Sequence, residues 1–338
     1  MTTFPPTQVR ARLGISPREV GRPYQIILIT GASSGLGAAL ARVMARPGRF
    51  LALTARRVDR LHRVAQEARE RGAETLEIPA DLSISSGPRI ILEKTLDAFG
   101  GLDVLVNNAG LGLPQLFHGT ESQALRSQIE VNFTAPLMLT HRALPHLIAR
   151  KGMVINISSA ITSVPIPFLG AYGATKAGLS YWNDALRREV AHLGVRVCLV
   201  EPGPIQTEFH EALVERAGGE RQLAETMDPP PFLTARVDDV AQRVASLLDR
   251  PRRRIAPLRR MTVPWDWLGA LFRLVPPLGD AVAQAAIRRY AHNQEIASPT
   301  RGDTPLDNVS YQRLQAGLPT RPVRTSFHDG SAQSNPRD

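Results

Sequence analysis

Tyr172 and Lys176 stand four residues apart in AYGATKAG. That spacing places two side chains one turn apart on one face of a helix. An ammonium beside a phenol favours the phenolate and lowers the tyrosine pKa from its usual value of about 10. Tyrosine then becomes a usable proton donor or acceptor near neutral pH. Ser159 ends the apolar, strand-like MVINISS, where its hydroxyl could hydrogen-bond a substrate oxygen while Tyr172 protonates it. Each residue also has an ordinary reading, since Y-x-x-x-K recurs by chance as a surface helix pair. The chemistry therefore rests on what accompanies these three residues.

TGASSGLG, residues 30–37, is the first companion. The spacing G-x-x-x-G-x-G differs from the commoner G-x-G-x-x-G fingerprint, so the flanks carry the argument. YQIILIT before it is a continuous apolar run suited to a strand buried on both faces. AALARVMAR after it has apolar residues at helical spacing. Strand, glycine turn and helix, in that order, make a phosphate-binding βα unit. Gly31 allows the tight turn, while Gly35 and Gly37 admit pyrophosphate and close helix packing at a helix N-terminus. The ordinary reading is a βα turn built with glycines.

These groups need a scaffold, and the chain supplies repeated βα units. Strands are expected near 24–30, 50–55, 75–80, 102–107, 152–157 and 195–200, with a seventh near 254–257. Helical patterns such as RVDRLHRVAQEARERG and TKAGLSYWNDALRREVAHLG fill the gaps. Such alternation implies an α/β fold, a doubly wound parallel sheet with helices on both faces and right-handed crossovers. Residues 1–22 read as a mobile arm and 23–258 as the catalytic domain. Residues 259–292 read as an amphipathic helical extension, and 293–338, rich in Pro, Ser, Asn, Arg and Gly, as a disordered tail. The irregular stretch 206–235 follows the sixth strand and is a candidate substrate lid.

Composition narrows the function further. The chain has 338 residues, 43% hydrophobic and 21% charged, which are globular values. One cysteine, Cys198, excludes a disulfide framework, and the scattered histidines suggest no metal centre. Neither a signal peptide nor a spanning helix is read, so a cytoplasmic location is expected. The net charge of +10 is almost all arginine, as Lys94, Lys151 and Lys176 are the only lysines. Much of it clusters in DRPRRRIAPLRR, outside any recognition motif, so no specific nucleic-acid partner is expected.

The motifs arrive in an order and at spacings that resemble the short-chain dehydrogenase/reductase family, from about residue 24 to about residue 250. The resemblance implies a Rossmann-type sheet of seven strands and hydride transfer between nicotinamide and a carbonyl or alcohol carbon. In that pattern Gly31, Ser33, Ser34, Gly35, Leu36 and Gly37 form the cofactor loop that follows Thr30. Asp81 and Leu82 in ADLS lie by the adenine. NNAG, Asn107 to Gly110, stabilises the central sheet and lines the cofactor, with Asn108, Ala109 and Gly110 as the cofactor contacts. Pro202, Gly203, Ile205 and Thr207 in PGPIQT lie by the carboxamide. Asn132 in EVNF, with Ser159, Tyr172 and Lys176, completes a catalytic tetrad. Tyr172 is the general acid or base, Lys176 lowers its pKa and holds the nicotinamide ribose, and Asn132 holds a water in a proton relay.

The second strand should choose the cofactor. An acidic side chain at its end would repel a 2′-phosphate, but this chain has Ala55 there, followed by Arg56 and Arg57. Guanidinium groups grip phosphate by paired hydrogen bonds, so NADP(H) is expected over NAD(H), with Arg56 as the main contact and Arg57 flanking it. Ser34 replaces the basic residue that many NADP-binding members carry there. Ile161, Pro165, Phe168, Phe209 and Phe232 are candidate pocket residues, mostly apolar, which suits an apolar or lipid-like ketone or secondary alcohol. Residues 259–291 hold Trp265 and Trp267 with flanking arginines. They fit either a peripheral membrane contact or packing over the pocket or a partner subunit. A homodimer or homotetramer is implied by the resemblance. The alternatives are a non-enzymatic NADP-binding sensor or scaffold and a charge-driven nucleic-acid binder.

Overall fold

Every residue of β1 (Ile26–Thr30) is buried, as are those of β2 (Phe50–Ala55), β4 (Val104–Asn107) and β5 (Met153–Ile157). Continuous apolar runs of this length cannot leave one face in water, so they form the middle of a sheet covered on both sides. The computed structural model describes residues 24–117, 120–205 and 234–256, together with isolated positions between 271 and 285. Its sheet has seven strands in the order β3-β2-β1-β4-β5-β6-β7, all parallel. The outer strands are β3 (Glu74–Pro79), β6 (Arg196–Val200) and β7 (Arg254–Ile255). This is the Rossmann-type doubly wound sheet, and its seventh strand is shorter than the stretch 254–257 suggested.

Side-chain alternation divides the core into two layers. On one face Ile27, Ile29, Leu51, Leu53, Val104 and Val106 pack with three helices: α1 (Gly35–Met44), α2 (Val58–Glu70) and α7 (Val237–Ala245). On the other face Ile26, Leu28, Phe50, Leu105, Val154 and Val197 meet α3 (Gly87–Phe99), α5 (Ala135–Arg150) and α6 (Gly170–Val190). The short α4 (Ser122–Ile129) runs through a π-helical turn, Glu130–Thr134, into α5.

Strand order reverses between β1 and β4. In a doubly wound sheet the crevice beyond the carboxyl ends of the strands at such a switch point is where ligands bind. The loops after β1, β4, β5 and β6 all open there, and they carry the motifs singled out in the sequence.

The arm at 1–22 and the tail at 293–338 lie outside the described residues. So do Phe209, Phe232, Thr207 and nearly all of the expected lid at 206–235. Of the C-terminal extension, Leu271, Leu274, Ala281 and Ala285 are among the positions described, each helical and exposed. Among the described residues no helix is long and apolar enough to cross a membrane, and no cluster of metal-ligating side chains occurs.

Candidate active site

The glycine turn after β1 is fixed by backbone it cannot spare. Gly31 has φ +68° and Gly35 φ +52°, a region where only glycine is free of Cβ strain. A Cβ on Gly37 would lie 2.2 Å from the Gly31 oxygen and 2.5 Å from Asn108 Nδ2, so α1 can pack this tightly only with glycine there. Asn108 clamps the turn from the β4 side, its Nδ2 donating to the carbonyls of Thr30 (2.9 Å) and Gly31 (3.3 Å). Thr30 Oγ1 accepts from the N–H groups of Asn108 and Ala109, both at 3.0 Å. Thr30 and Asn108 thus lock the loops after β1 and β4 together at the switch point. Ser34 is the extended N-cap of α1, makes no side-chain cap bond, and no acidic residue follows in the first turn. The N-terminal N–H groups of α1 and its positive dipole end therefore face the crevice without a side-chain anion, as a pyrophosphate site requires.

At the end of β2 the two arginines diverge. Arg57 donates from Nη2 to the Ser34 hydroxyl. Arg56 Nη1 lies 3.8 Å from Asp81 Oδ2. Asp81 itself is held by the backbone N–H (2.9 Å) and hydroxyl (2.8 Å) of Ser83, with Leu82 buried beside it. The guanidinium that reaches the glycine loop is that of Arg57. It reaches the serine that replaces the expected basic loop residue.

The catalytic candidates meet across the adjoining loops. Ser159 follows β5 and caps a 3-10 turn, Ala160–Ser163, with its Oγ accepting from Ile161 N–H at 3.3 Å. The same hydroxyl is hydrogen-bonded to that of Tyr172, on the first turns of α6. Lys176 is buried one turn further along. Its Nζ donates to the Ile157 carbonyl at 2.9 Å and lies 5.9 Å from the Tyr172 ring centroid. Asn132 is fully buried in the π-helical turn, a local widening often found at functional sites. Its Nδ2 donates to Leu111 O (2.8 Å) and Thr175 Oγ1 (3.1 Å), and its Oδ1 accepts from Leu111 N–H (2.7 Å). Gly110 adjoins both: a Cβ there would sit 3.6 Å from Lys176 Nζ and 3.8 Å from Asn132 Oδ1. Pro202 closes the group by accepting from Ala160 N–H at 2.9 Å. Gly203 beyond it has no atom within 4 Å of where a Cβ would stand.

The electrostatics correct one expectation. Burial pushes the Tyr172 phenol up to about 12, against the opposing pull of its Ser159 hydrogen bond. Burial lowers the Lys176 ammonium to about 8. Desolvation of the phenolate therefore outweighs any lowering of the Tyr172 pKa by Lys176, whose Nζ bonds a backbone carbonyl. At neutral pH the Tyr172 phenol is therefore protonated, beside an ammonium whose pKa burial lowers to about 8.

Several positioning residues had no signal in the sequence. Thr175 Oγ1 donates to the Tyr172 carbonyl (2.7 Å) and accepts from Asn132. Beneath the site Asn107 Nδ2 donates to Thr140 Oγ1 and Asn156 Oδ1, and Asn156 Nδ2 donates to Asn183 Oδ1, a polar ladder across β4, β5 and α6.

Comparison with known proteins agrees with this architecture. The sequence pattern described as short chain dehydrogenase matches residues 25–218, more than half of the chain. The chain is 35% identical over 206 residues to an Arabidopsis thaliana protein named 11-beta-hydroxysteroid dehydrogenase-like 3, spanning 60% of this chain and 66% of that relative's length. A metagenomic short-chain oxidoreductase solved with NADP superposes with a TM-score of 0.58 at 32% identity, covering 70% of this chain and 98% of the other. A short chain dehydrogenase from Mycobacterium paratuberculosis bound to NAD superposes with a TM-score of 0.61 at 25% identity, covering 70% and 97%. The sheet order, the glycine turn at the switch point and the matched pattern lead to one conclusion: the chain belongs to the short chain dehydrogenase family of oxidoreductases.

Proposed function

We propose that the protein is an NADP(H)-dependent oxidoreductase that transfers a hydride between nicotinamide and an apolar ketone or secondary alcohol. The observation that carries this reading is the hydrogen-bonded pair of Ser159 and Tyr172 hydroxyls, with buried Lys176 one helical turn away, all at the switch-point crevice. Bound nicotinamide supplies the hydride chemistry, and the protein supplies binding, orientation and a proton. Gly31, Ser33, Gly35, Leu36 and Gly37 with the N-terminus of α1 fit a pyrophosphate. Arg57, Ser34 and Arg56 fit a 2′-phosphate, and Ala55 offers no carboxylate to repel it. Asp81, Leu82, Ala109 and Gly110 would serve the adenosine and ribose side, and Pro202 to Ile205 the nicotinamide side.

The residues then divide the work. Ser159 holds the substrate oxygen. Tyr172, neutral at physiological pH, gives its proton to that oxygen during reduction and recovers one from Lys176 or solvent. The Lys176 ammonium favours the transient phenolate. Asn132, oriented by Leu111 and Thr175, fixes the loop behind Lys176. NADP-bound and NAD-bound relatives both share this fold, so the preference for NADP rests on the arginine pair and Ala55. The steroid named for the Arabidopsis relative and the apolar candidate pocket residues support a lipid-like substrate.

The reading is tested by fluorescence titration with NADPH and NADH, followed by NADPH oxidation against acetophenone, phenylacetone and a steroidal ketone. Tight NADPH binding with ketone turnover is expected. A folded sample that binds neither nucleotide would overturn the cofactor assignment, and binding without turnover across the panel would favour the sensor reading.

A further inference from the structure

Glu201 is the first residue after β6, directly before Pro202 and Gly203, and its carboxylate gathers three elements. Oε1 accepts from Ser180 Oγ on α6 at 3.1 Å and faces Thr162 Oγ1, in the turn after Ser159, at 3.5 Å. Oε2 faces Arg254 Nε of β7 at 3.3 Å. Ser180 lies one helical turn beyond Lys176, and its single hydroxyl proton is shared between Glu201 and the Ser158 hydroxyl 2.8 Å away. Ser158 Oγ in turn donates to the Lys176 carbonyl at 3.0 Å. The Glu201 N–H donates to Ile255 O at 3.0 Å, which fixes the backbone from which the carboxylate projects. One side chain thus joins the helix that carries Tyr172 and Lys176, the turn that carries Ser159, and the strand end that begins the nicotinamide-side loop. None of the active-site motifs assigns it a role.

We propose that Glu201 is a positioning residue, whose carboxylate holds the Ser159 turn against α6 so that the Ser159 and Tyr172 hydroxyls stay in register. The inference rests on the proposed roles of those two hydroxyls. Glu201 touches no reacting atom and acts through Ser180 and Thr162. Its working part is the acceptor oxygen, because the ion pair is shared: Arg254 is half exposed and also lies 3.9 Å from Asp184. Misplacement of a reacting group by about 1 Å can cost on the order of 100-fold in rate. A slackened turn should therefore reduce turnover much more than it reduces nucleotide binding.

The experiment compares Glu201→Ala, Glu201→Gln, Ser180→Ala and Glu201→Ala/Ser180→Ala with the wild type, using NADPH and the panel ketone turned over fastest. The concentration of active sites comes from NADPH titration. Glu201→Ala is expected to lower kcat per site by about 10- to 100-fold with NADPH affinity unchanged. Glu201→Gln, which keeps an acceptor oxygen, should recover most of that loss. Ser180→Ala should lower kcat and add nothing to Glu201→Ala, because the two residues act as a unit. Amide hydrogen exchange across Ser158–Val164 gives a readout that needs no substrate: it should quicken in Glu201→Ala and return in Glu201→Gln. A Glu201→Ala protein with wild-type kcat and exchange overturns the proposal. So do Ala and Gln variants that lose the same activity in proportion to lost thermal stability, which would make the ion pair merely structural. Should Glu201→Ala fail to fold, Glu201→Gln and Ser180→Ala still decide, since fully active Ser180→Ala contradicts the proposal. Tyr172→Phe run alongside separates two failures. If it stays active, the reading of the site falls. If it is inactive while Glu201→Ala is unaffected, only the role of Glu201 falls.

Discussion

Removing Arg57 and Arg56 one at a time should test the proposal that a guanidinium after β2 selects NADPH over NADH. Arg57 reaches over the glycine turn to Ser34, beside the N-terminus of α1, whereas Arg56 has a carboxylate, Asp81, at 3.8 Å and a side chain 56% exposed. A hydrogen bond to a charged group contributes about 1.5–3 kcal/mol, or roughly 10- to 100-fold in affinity. Both arginines are exposed, so solvent screening keeps the effect near the low end. Arg57→Ala should weaken NADPH binding about 10-fold. Arg56→Ala should weaken it by only a few fold, because Asp81 already offsets part of its charge. Neither should change NADH binding, since the phosphate is the only group that distinguishes the two nucleotides. The assay is fluorescence titration with both nucleotides at two ionic strengths, and the Arg57→Ala loss should shrink at high salt. The assignment is refuted if Arg57→Ala leaves the NADPH-to-NADH ratio intact, or if Arg56→Ala collapses it instead.

Other outcomes follow from the same geometry. Gly37→Ala forces a Cβ to within 2.2 Å of the Gly31 oxygen, so it should cost about 1–3 kcal/mol, read as a lower Tm, and abolish nucleotide binding even where the protein folds. Asn108→Ala frees the carbonyls of Thr30 and Gly31 from the clamp and should cost about 1–3 kcal/mol in urea unfolding, with weaker nucleotide binding. Lys176 carries opposite pH signatures for stability and rate. Its pKa falls from 10.5 in the unfolded chain to about 8 in the folded one, so between those values the unfolded chain binds more protons and this residue's contribution to stability rises with pH. Cys198 and Tyr172, both raised by burial from 9.0 and 10.0, pull the other way at higher pH. The Lys176 contribution is therefore read as the difference between wild type and Lys176→Met in urea unfolding from pH 7 to 10. Ketone reduction should decline over the same range as the ammonium is lost.

Strand positions were legible because each buried strand is a continuous apolar run, and the strand, glycine turn and helix around residue 30 read in one pass. Gly31, Gly35 and Gly37 were equally legible, since positive φ and close packing leave few other choices. Contacts between residues far apart in sequence were not. Which arginine after β2 reaches the loop depends on the direction in which each leaves the strand end, and composition says nothing about that. The direction of the Tyr172 pKa shift was not legible, because helical spacing reports proximity to Lys176 but not the burial that opposes ionisation. Thr175, Asn156, Asn183 and Glu201 are ordinary residues in the sequence, and only the packed fold brings Thr175 to Asn132 or Glu201 to Ser180.

The most direct test of the central claim is single-turnover NADPH oxidation by wild type and Tyr172→Phe, both saturated with NADPH, against the panel ketone turned over fastest. Loss of a general acid costs about 100- to 10,000-fold, so Tyr172→Phe should bind NADPH as wild type does and transfer hydride slower by that factor. Hydride transfer at the wild-type rate in Tyr172→Phe would contradict the account, because the proton would then come from another group.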